Sequence, residues 1–181
     1  VYMDNNATTS VDPRVLEAML PYFSREYGNP SSPYGLAQSA RTAVEEARAH
    51  VAAALRCRPE SVVFTSGGSE SDNAAIKGAV FARTGAKSHI VTTRIEHHAV
   101  LSTCEYLEKR FGVRVTYVPV DREGTVDPGD VERACAPDTA LISVMFANNE
   151  VGTIEPIGDI GRIARRRGIA FHTDAVQAVG K

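Results

Sequence analysis

The chain has 181 residues, of which 43% are hydrophobic and 23% are charged, and its formal net charge is −2 at pH 7. This length and composition fit one globular domain with its own hydrophobic core. A net charge so close to zero gives no electrostatic reason to expect nucleic acid or a membrane surface as a partner, and no apolar run is long enough to cross a bilayer.

Two helices are predicted in the first third of the chain. Asp12 is a typical N-cap with Pro13 at the first helical position, and this helix is expected to end or kink near Leu20 because Pro21 follows. Residues 27–33 are dense in turn-forming residue types and indicate a loop. A longer helix is predicted over residues 36–55, where apolar residues recur every three or four positions. Its expected apolar stripe consists of Leu36, Ala40, Val44, Ala47, Val51 and Leu55.

Strands and helices alternate in the rest of the chain. Strands are predicted over residues 61–65, 88–92, 114–118, 140–146 and 169–171, and helices over residues 69–83, 97–111, 128–135 and 157–167. The strands are short, rich in Val and Ile, and apolar on both faces, which is typical of a parallel sheet covered on two sides. The predicted fold class is therefore α/β, with three α/β/α layers around a mostly parallel sheet.

Polar side chains follow four of these strands at the point where each strand ends. Ligands of such sheets bind just beyond the carboxyl ends of the strands. One shared ligand explains four polar clusters at one edge better than four independent coincidences do. The four clusters are Ser66-Gly67-Gly68-Ser69, Glu96-His97-His98, Asn148-Asn149-Glu150, and His172-Thr173-Asp174 with Gln177.

The first cluster has the composition of a phosphate-binding turn. Gly67 and Gly68 allow the backbone to approach a ligand closely, and the free N–H groups at the start of the following helix favour an anion. The hydroxyls of Ser66 and Ser69 add two expected donors. A plain tight turn with a serine capping the helix explains the same residues, and neither a P-loop lysine nor the glycine spacing of a dinucleotide fingerprint is present.

The carboxylate of Asp174, at the mouth of a buried strand, requires a compensating cation. A metal is one alternative, with His172 beside Asp174 or with the group Glu96, His97 and His98 as ligands. We expect no metal. The combination of a phosphate site with a separate carboxylate favours a phosphorylated aromatic cofactor that carries a basic ring nitrogen.

Pyridoxal 5'-phosphate has both features, and a carboxylate beside its pyridine nitrogen keeps that nitrogen protonated. The imidazole of His97 is flat enough to stack on such a ring, although a histidine at the start of a helix also acts as a cap. Asn149 and Gln177 are suited to hydrogen-bonding a ring hydroxyl, although both amides also suit loop and helix-cap positions.

The three cysteines lie far apart and in no spacing typical of metal ligands, which fits a reducing compartment and hence a cytoplasmic location. Cys104 lies on the apolar stripe of its predicted helix, and Cys135 falls four residues after Val131, so both are expected in the core. Cys57 follows the long helix and is expected to be unreactive.

A set of motifs in this chain, taken together, resembles the cysteine desulfurases, which are pyridoxal-phosphate enzymes of the class V aminotransferase group. The resemblance extends along all 181 residues and is closest to the nitrogen-fixation (NifS) type. It implies the large domain of a fold-type-I transferase. The motifs are Tyr2-Met3-Asp4-Asn5-Asn6-Ala7-Thr8-Thr9, Gly28-Asn29-Pro30-Ser31-Ser32, Phe64-Thr65-Ser66-Gly67-Gly68-Ser69-Glu70-Ser71-Asp72-Asn73, Glu96-His97, Asn148-Asn149-Glu150 and His172-Thr173-Asp174-Ala175-Val176-Gln177.

The resemblance also implies roles for single residues. Gly68 and Ser69 match the family's phosphate cup, where threonine is commoner at the second position and serine keeps the hydroxyl. His97 matches the residue that stacks on the ring and assists proton transfer. Asn149 matches a contact to the substrate and to the ring hydroxyl.

At the end of the chain, Asp174 matches the partner of the pyridine nitrogen and Gln177 the donor to the ring oxygen. The segment around Ala7 resembles one that returns to line the site. We accordingly expect residues 1–12 to contribute to the small domain and the active-site lining. Residues 13–181 are expected to form the amino-terminal part of the large cofactor-binding domain.

The activity implied by the resemblance is conversion of L-cysteine to L-alanine. The sulfur is left as an enzyme-bound persulfide for iron–sulfur cluster assembly of the nitrogenase type. The implied partners are an iron–sulfur scaffold protein and a second copy of the chain. A selenocysteine lyase or aminotransferase of the same fold, a non-catalytic fragment that binds a partner, and a nucleotide-binding α/β module remain alternatives.

Two functional residues of the family have no match here. The lysine that bonds the cofactor and the nucleophilic cysteine are expected beyond Lys181, which itself is expected to be structural or exposed. We therefore expect this chain to be the amino-terminal part of a longer enzyme, and we expect the 181 residues alone not to desulfurate cysteine.

Overall fold

The computed structural model describes residues 1–5, 7–82 and 88–180. The chain forms two compact units, one of Val1–Thr8 together with the residues from Thr65 onward, and one of Thr9–Phe64. The predicted helix end at residue 83 and the expectations for Asn6 and Lys181 lie outside the described residues.

The unit of Thr9–Phe64 begins with helix α1, Pro13–Ser24. The predicted cap is confirmed, because the Asp12 carboxylate accepts a hydrogen bond from the backbone N–H of Arg14 at 2.8 Å. The predicted end near Leu20 is wrong. Pro21 lies inside the helix, and its carbonyl accepts the N–H groups of Arg25 and Glu26, each at 2.8 Å. The helix therefore ends one turn after the proline.

Helix α2, Gly35–Leu55, confirms the predicted long helix. It ends at Arg56, whose left-handed φ of 53° is a regular helix terminus. Only part of the predicted stripe is buried, since Ala40 is 7% exposed whereas Leu55 is 50% exposed.

Gly28 precedes this helix, and a Cβ there would lie 2.4 Å from the carbonyl oxygen of Leu36. The loop therefore requires glycine at that position.

The strand predicted over residues 61–65 does not form, which corrects the sequence analysis. Pro59–Ser61 form a short 3-10 helix instead. The carbonyl oxygen of Val62 accepts a hydrogen bond from Arg48 Nη1 at 2.5 Å, and the same guanidinium lies 4.9 Å from the ring centroid of Phe64. A side chain thus takes the hydrogen bond that a neighbouring strand would supply, and Val63 is left 77% exposed.

The other unit contains a parallel sheet, and over the described residues its strands lie side by side in the order second, first, third and fourth along the chain. The predicted strands are confirmed with small shifts at their ends. The strand predicted over residues 140–146 was expected to reach Phe146, but its regular pairing stops at Ser143. Beyond it, Phe146 N still donates to the carbonyl of Asp174 at 2.8 Å. The strands are β1 His89–Thr93, β2 Arg114–Val118, β3 Thr139–Ser143 and β4 Ala170–His172.

The helices of this unit also follow the prediction. The three that come after β1 connect successive strands, as parallel pairing requires. The last of them ends at Gly168 in a left-handed turn with φ 65°. Within the described part of the chain, no helix combines the length and hydropathy that a bilayer crossing needs. The helices are α3 Gly68–Phe81, α4 His98–Phe111, α5 Pro128–Ala134 and α6 Ile157–Arg167.

Helices cover both faces of the sheet. On one face, Ile90 and Leu141 pack with Ile76 of α3 and Leu107 of α4. On the other face, the adjacent strand residues pack against α5 and α6, as Ile142 does against Ile160. Burial of one such side chain contributes about 1.5–3 kcal/mol. The predicted three-layer α/β/α architecture is confirmed.

The amino end of the sheet is held by a buried histidine. His89 is fully buried, with its Nδ1 2.8 Å from Thr139 Oγ1 and its Nε2 2.8 Å from Thr116 Oγ1. These contacts link β1 to both of its neighbours, β2 and β3. Desolvation of the ring lowers the pKa of His89.

Candidate active site

The candidate site lies at the carboxyl ends of β1 and β3, which are neighbours in the sheet. The chain leaves β1 for α4 on one face, and it leaves β3 for α6 on the other face. The two loops therefore separate and open a crevice, which is where doubly wound α/β sheets bind ligands.

A cavity of about 210 Å³ occupies this crevice. All six predicted site residues line it, although the sequence separates them by more than a hundred positions. Met145, Ala147 and Val176 also line it, with Ala7 and Asp72 beside them. The six predicted residues are Gly68, Ser69, His97, Asn149, Asp174 and Gln177.

One end of the cavity is the amino terminus of α3. The first N–H groups of a helix have no partner within the helix and favour an anion. The N-cap is Gly67, and no side chain caps this helix. The alternative of a serine-capped turn is therefore not what the chain forms. A Cβ on Gly68 would lie 2.7 Å from Val176 Cγ2, so the bare backbone of Gly68 is closely packed at the cavity wall.

The expectation that Ser66 offers a donor to an anion is wrong. Its backbone N–H and its hydroxyl both bond to Glu70 Oε2, at 2.7 Å and 2.5 Å. These bonds lower the pKa of the Glu70 carboxyl. Ser69, which lines the cavity, is the hydroxyl that remains for a ligand at this end.

His97 has both of the roles weighed from the sequence. It is the N-cap of α4, because its Nδ1 accepts a hydrogen bond from Ala99 N at 3.1 Å. It also lines the cavity. Since Nδ1 accepts a bond from a backbone N–H, the proton of the neutral ring resides on Nε2, which is the atom available to a ligand.

Asp174 lies at the other end of the cavity, just beyond β4. Its Oδ1 accepts the backbone N–H of Val176 at 3.0 Å, which fixes the carboxylate. His172 does not join it, because the two nitrogens of that ring face Ser143 Oγ at 2.9 Å and Asp72 Oδ1 at 3.4 Å. Among the residues described, no group of three His, Cys, Asp or Glu side chains has the geometry of a metal site.

Asn149 and Gln177 complete the lining with two amides. Asn149 lies in the turn that follows β3, between the bridged residues Ala147 and Ile154. Gln177 Nε2 lies 3.4 Å from the carbonyl oxygen of Ala7. This contact brings the amino-terminal segment to the wall of the cavity, where the resemblance implied that it returns.

Three polar residues around this cavity, Asp72, Glu96 and Asn148, are buried, at 4%, 5% and 5% exposed. Sequence reasoning assigned no role to Asp72 or Asn148, and it weighed Glu96 only as a metal ligand. Glu96 accepts hydrogen bonds from Thr93 Oγ1 and Met145 N. Burial raises the pKa of Glu96 to about 8. The available signal was their position inside the quoted motifs, where Glu96 and Asn148 stand immediately before His97 and Asn149.

The three cysteines lie outside the cavity lining. Cys104 is fully buried among apolar side chains, as predicted, and desolvation raises the pKa of its thiol to about 12. Cys135 packs against the other face of the core. Cys57 is exposed, so its thiol is accessible to reagents, contrary to the expectation that it is unreactive.

The residues present fit the cofactor predicted from the sequence. A helix terminus and the Ser69 hydroxyl offer donors to a phosphate, and the Asp174 carboxylate at the opposite end matches a protonated ring nitrogen. The imidazole of His97 and two amides lie on the same lining. This donor set suits a flat phosphorylated heterocycle better than a metal ion.

Comparisons with known proteins give the same family. The model of the aminotransferase class-V family matches residues 1–181. Cysteine desulfurase IscS of Clostridium botulinum strain Hall is 53% identical over 180 residues, which are 99% of this chain and 45% of that protein. The protein of the same name from Methanosarcina thermophila is 54% identical over 99% of this chain and 44% of its own length. The chain thus spans about half the length of the curated relatives it matches.

Solved structures agree. A NifS-like protein has a TM-score of 0.93 at 45% identity, covering 98% of this chain and 49% of that one. SspA in complex with cysteine has a TM-score of 0.91 at 44% identity, covering 95% of this chain and 49% of that one. Both matches extend over nearly the whole fold described above. The chain therefore belongs to the aminotransferase class-V family of pyridoxal-phosphate-dependent proteins with fold type I, and within that family it is similar to the cysteine desulfurases.

Proposed function

We propose that the full-length protein carrying this chain is a pyridoxal-phosphate-dependent cysteine desulfurase. It converts L-cysteine to L-alanine and retains the sulfur as an enzyme-bound persulfide. The observation that carries the proposal is the convergence of all six predicted site residues on one cavity with an anion-binding end and a carboxylate end. The names of the curated relatives favour this activity over the selenocysteine lyase alternative.

In this proposal the amino terminus of α3 binds the cofactor phosphate. The N–H groups of Gly68 and Ser69 point along the helix axis, and the partial positive charge of the terminus stabilises a dianion there. The Ser69 hydroxyl donates one further hydrogen bond. Glu70 does not oppose this charge inside the cavity, because its carboxylate is bound to Ser66.

At the other end Asp174 holds a proton on the pyridine nitrogen. The bound ring then supplies an electron-withdrawing system conjugated to the substrate. Gln177 donates its amide to the ring oxygen. His97 places its imidazole against the ring face and exchanges a proton through Nε2, since its Nδ1 is held by Ala99 N.

Asn149 orients the substrate and the ring hydroxyl. L-cysteine is the proposed substrate, and a similar solved structure is named as a complex with cysteine. In the overall reaction, a thiolate of the enzyme bonds to the substrate sulfur as the carbon–sulfur bond breaks. The carbon then takes a proton to give alanine. The nucleophile is not one of the three cysteines described here, because none of them is on the cavity lining and none matches the family's nucleophilic cysteine.

We further propose that the persulfide sulfur passes to an iron–sulfur scaffold protein, in an assembly role of the nitrogenase type. The enzyme acts as a homodimer in the cytoplasm, and the free thiols of the chain suit a reducing compartment. Residues 1–12 contribute to the small domain and line the active site, and residues 13–181 belong to the large domain. The position of Ala7 on the cavity wall supports the first assignment.

The test uses the full-length protein supplied with pyridoxal 5'-phosphate. We expect a visible absorption band from bound cofactor and release of alanine from L-cysteine. Asp174→Ala is expected to lower turnover at least a hundredfold while the protein stays folded, because one hydrogen bond to Val176 N is its main structural loss. Wild-type turnover in that variant, or a colourless wild-type protein, would refute the proposal. A higher kcat/KM for L-selenocysteine than for L-cysteine would favour the lyase instead.

A further inference from the structure

Two buried residues beside the cavity have no role in the proposed chemistry. Glu96 immediately precedes His97, and Asn148 immediately precedes Asn149. Each is 5% exposed, so its polar atoms have lost their water and need partners within the protein. Each of them has one such partner on the opposite loop, Met145 for Glu96 and Ile95 for Asn148.

Glu96 links the ends of the two central strands. Its Oε1 accepts a hydrogen bond from Thr93 Oγ1, at the end of β1, at 2.7 Å. The same oxygen accepts the backbone N–H of Met145, just beyond β3, at 3.0 Å. Met145 and His97 both line the cavity. A single carboxyl oxygen therefore joins the loop after β1 to the loop after β3.

Asn148 makes a second link between the same loops. Its Nδ2 donates to the carbonyl oxygen of Ile95 at 2.9 Å. Its Oδ1 accepts the backbone N–H groups of Glu150 and Val151, each at 2.8 Å, and so shapes the turn that presents Asn149. The two functions use different atoms of one side chain and can be separated by substitution.

These links lie where the sheet no longer holds the chain. The register between β1 and β3 ends at the pair Thr92 and Ser143. Beyond that pair the two loops turn to opposite faces of the sheet. Side chains have to replace the backbone ladder if the groups on the two loops are to keep a fixed separation.

We propose that Glu96 and Asn148 are positioning residues that tie these two loops together and thereby hold His97 and Asn149 at a fixed separation across the cavity. The link itself is independent of the proposed function. Its effect on bound cofactor rests on that function.

The Glu96 carboxyl acts as a neutral acceptor in this link. Burial raises its pKa to about 8, with smaller contributions from the negative charges of Asp174 and Glu155. At neutral pH the group is therefore protonated. Glutamine, which keeps a neutral carbonyl oxygen of the same reach, is expected to replace it.

Four variants of the full-length protein test the proposal. Glu96→Ala removes the acceptor, and Glu96→Gln keeps it. Asn148→Asp keeps the oxygen that shapes the turn but replaces the donor to Ile95 O with a second oxygen. Glu150→Gln makes the same carboxyl-to-amide change at an exposed position of the same turn and is the control.

Three measurements are made on each variant. The rate of amide hydrogen exchange at Met145 reports the hydrogen bond from Met145 N to Glu96 and needs no cofactor. The rate at Glu150 reports the hydrogen bond from Glu150 N to Asn148 that shapes the turn. The visible circular dichroism of bound pyridoxal 5'-phosphate reports how asymmetric its surroundings are, and its dissociation constant reports how tightly it binds. We expect Glu96→Ala to speed Met145 exchange roughly 10- to 100-fold, the effect of leaving a buried N–H unpaired.

We expect Glu96→Ala and Asn148→Asp to weaken the dichroic band and cofactor binding. In Asn148→Asp the Glu150 amide stays protected, and Glu96→Gln and Glu150→Gln match the wild type. If Glu96→Ala fails to fold, Asn148→Asp decides alone. An unchanged dichroic band in Asn148→Asp, or a loss in Glu96→Gln as large as in Glu96→Ala, overturns the proposal. If the wild type binds no cofactor, the proposed function fails, and Met145 exchange still decides whether the link exists.

Discussion

The buried carboxyl of Glu96 makes a quantitative prediction for the pH dependence of folding. Its pKa is raised from 4.5 to about 8, mainly by desolvation, while bonds from Met145 N and Thr93 Oγ1 oppose the rise. The folded state therefore holds this proton more tightly than the unfolded state does. The stabilisation is complete below pH 4.5 and is lost progressively as the pH rises to 8.

The size of the effect follows from the two pKa values. Their difference, 8 − 4.5, is about 3.5, and one pKa unit corresponds to about 1.4 kcal/mol. Folding thus loses up to about 5 kcal/mol across this pH range because of Glu96 alone. Glu96→Gln cannot titrate, so it is expected to lack this slope and to be more stable than the wild type at pH 8.5.

Urea unfolding of the full-length wild type, Glu96→Gln and the exposed control Glu150→Gln, from pH 5 to pH 9, tests this reasoning. Differences between wild type and variant remove the contributions that other titrating groups share. From pH 5 to pH 9, we expect the unfolding free energy of Glu96→Gln to rise by several kcal/mol relative to that of the wild type. The difference between Glu150→Gln and the wild type is expected not to change with pH. If the free energies of unfolding of Glu96→Gln and of the wild type change with pH in the same way, Glu96 is charged in the folded protein at neutral pH and the reasoning is wrong.

Three further predictions concern other parts of the chain. Ser69→Ala should weaken pyridoxal 5'-phosphate binding about tenfold through loss of one hydroxyl donor, and Ser69→Thr should restore it; equal affinities in a fluorescence titration would contradict this role. His89→Leu removes two buried hydrogen bonds and should cost about 1–3 kcal/mol in urea unfolding at pH 7. Because the folded pKa of His89 lies below its ordinary value, the wild type should also lose stability as the pH falls through that pKa, and His89→Leu should lack this loss. Finally, Cys57 should react with N-ethylmaleimide in the native protein while Cys104, whose pKa is raised to about 12, should react only after unfolding; equal native labelling in peptide mass spectra would refute the burial argument.

The four sheet strands were predictable because short runs of Val and Ile between turn residues specify buried strands locally. The segment at residues 61–65 has the same local pattern and forms no strand. The carbonyl of Val62 there accepts a hydrogen bond from Arg48, in a helix earlier in the chain. Periodicity alone does not reveal such competition between a side chain and a neighbouring strand.

The candidate site was predictable to the extent that it depends on strand ends. Four of the six residues placed from motifs lie on the cavity because parallel strands deliver their carboxyl ends to one edge, whereas Gly68 and Ser69 reach it at the amino terminus of α3. Ser66 was misassigned, since its hydroxyl bonds to Glu70 one turn along the helix. Glu96 was weighed only as a metal ligand, because its partner Met145 is 49 residues away and the sequence does not show that contact.

The contact between Ala7 and Gln177 has a consequence for how the protein is made. The two residues are separated by 170 positions, and Val1–Thr8 belongs to the compact unit that begins again at Thr65. At about 5–20 residues per second, a ribosome needs roughly 10–30 s to deliver the second residue after the first. During that interval Gln177 has not yet been synthesised, so the nascent segment of Val1–Thr8 cannot make this contact. It is therefore exposed to proteases and chaperones for longer than any other part of this unit.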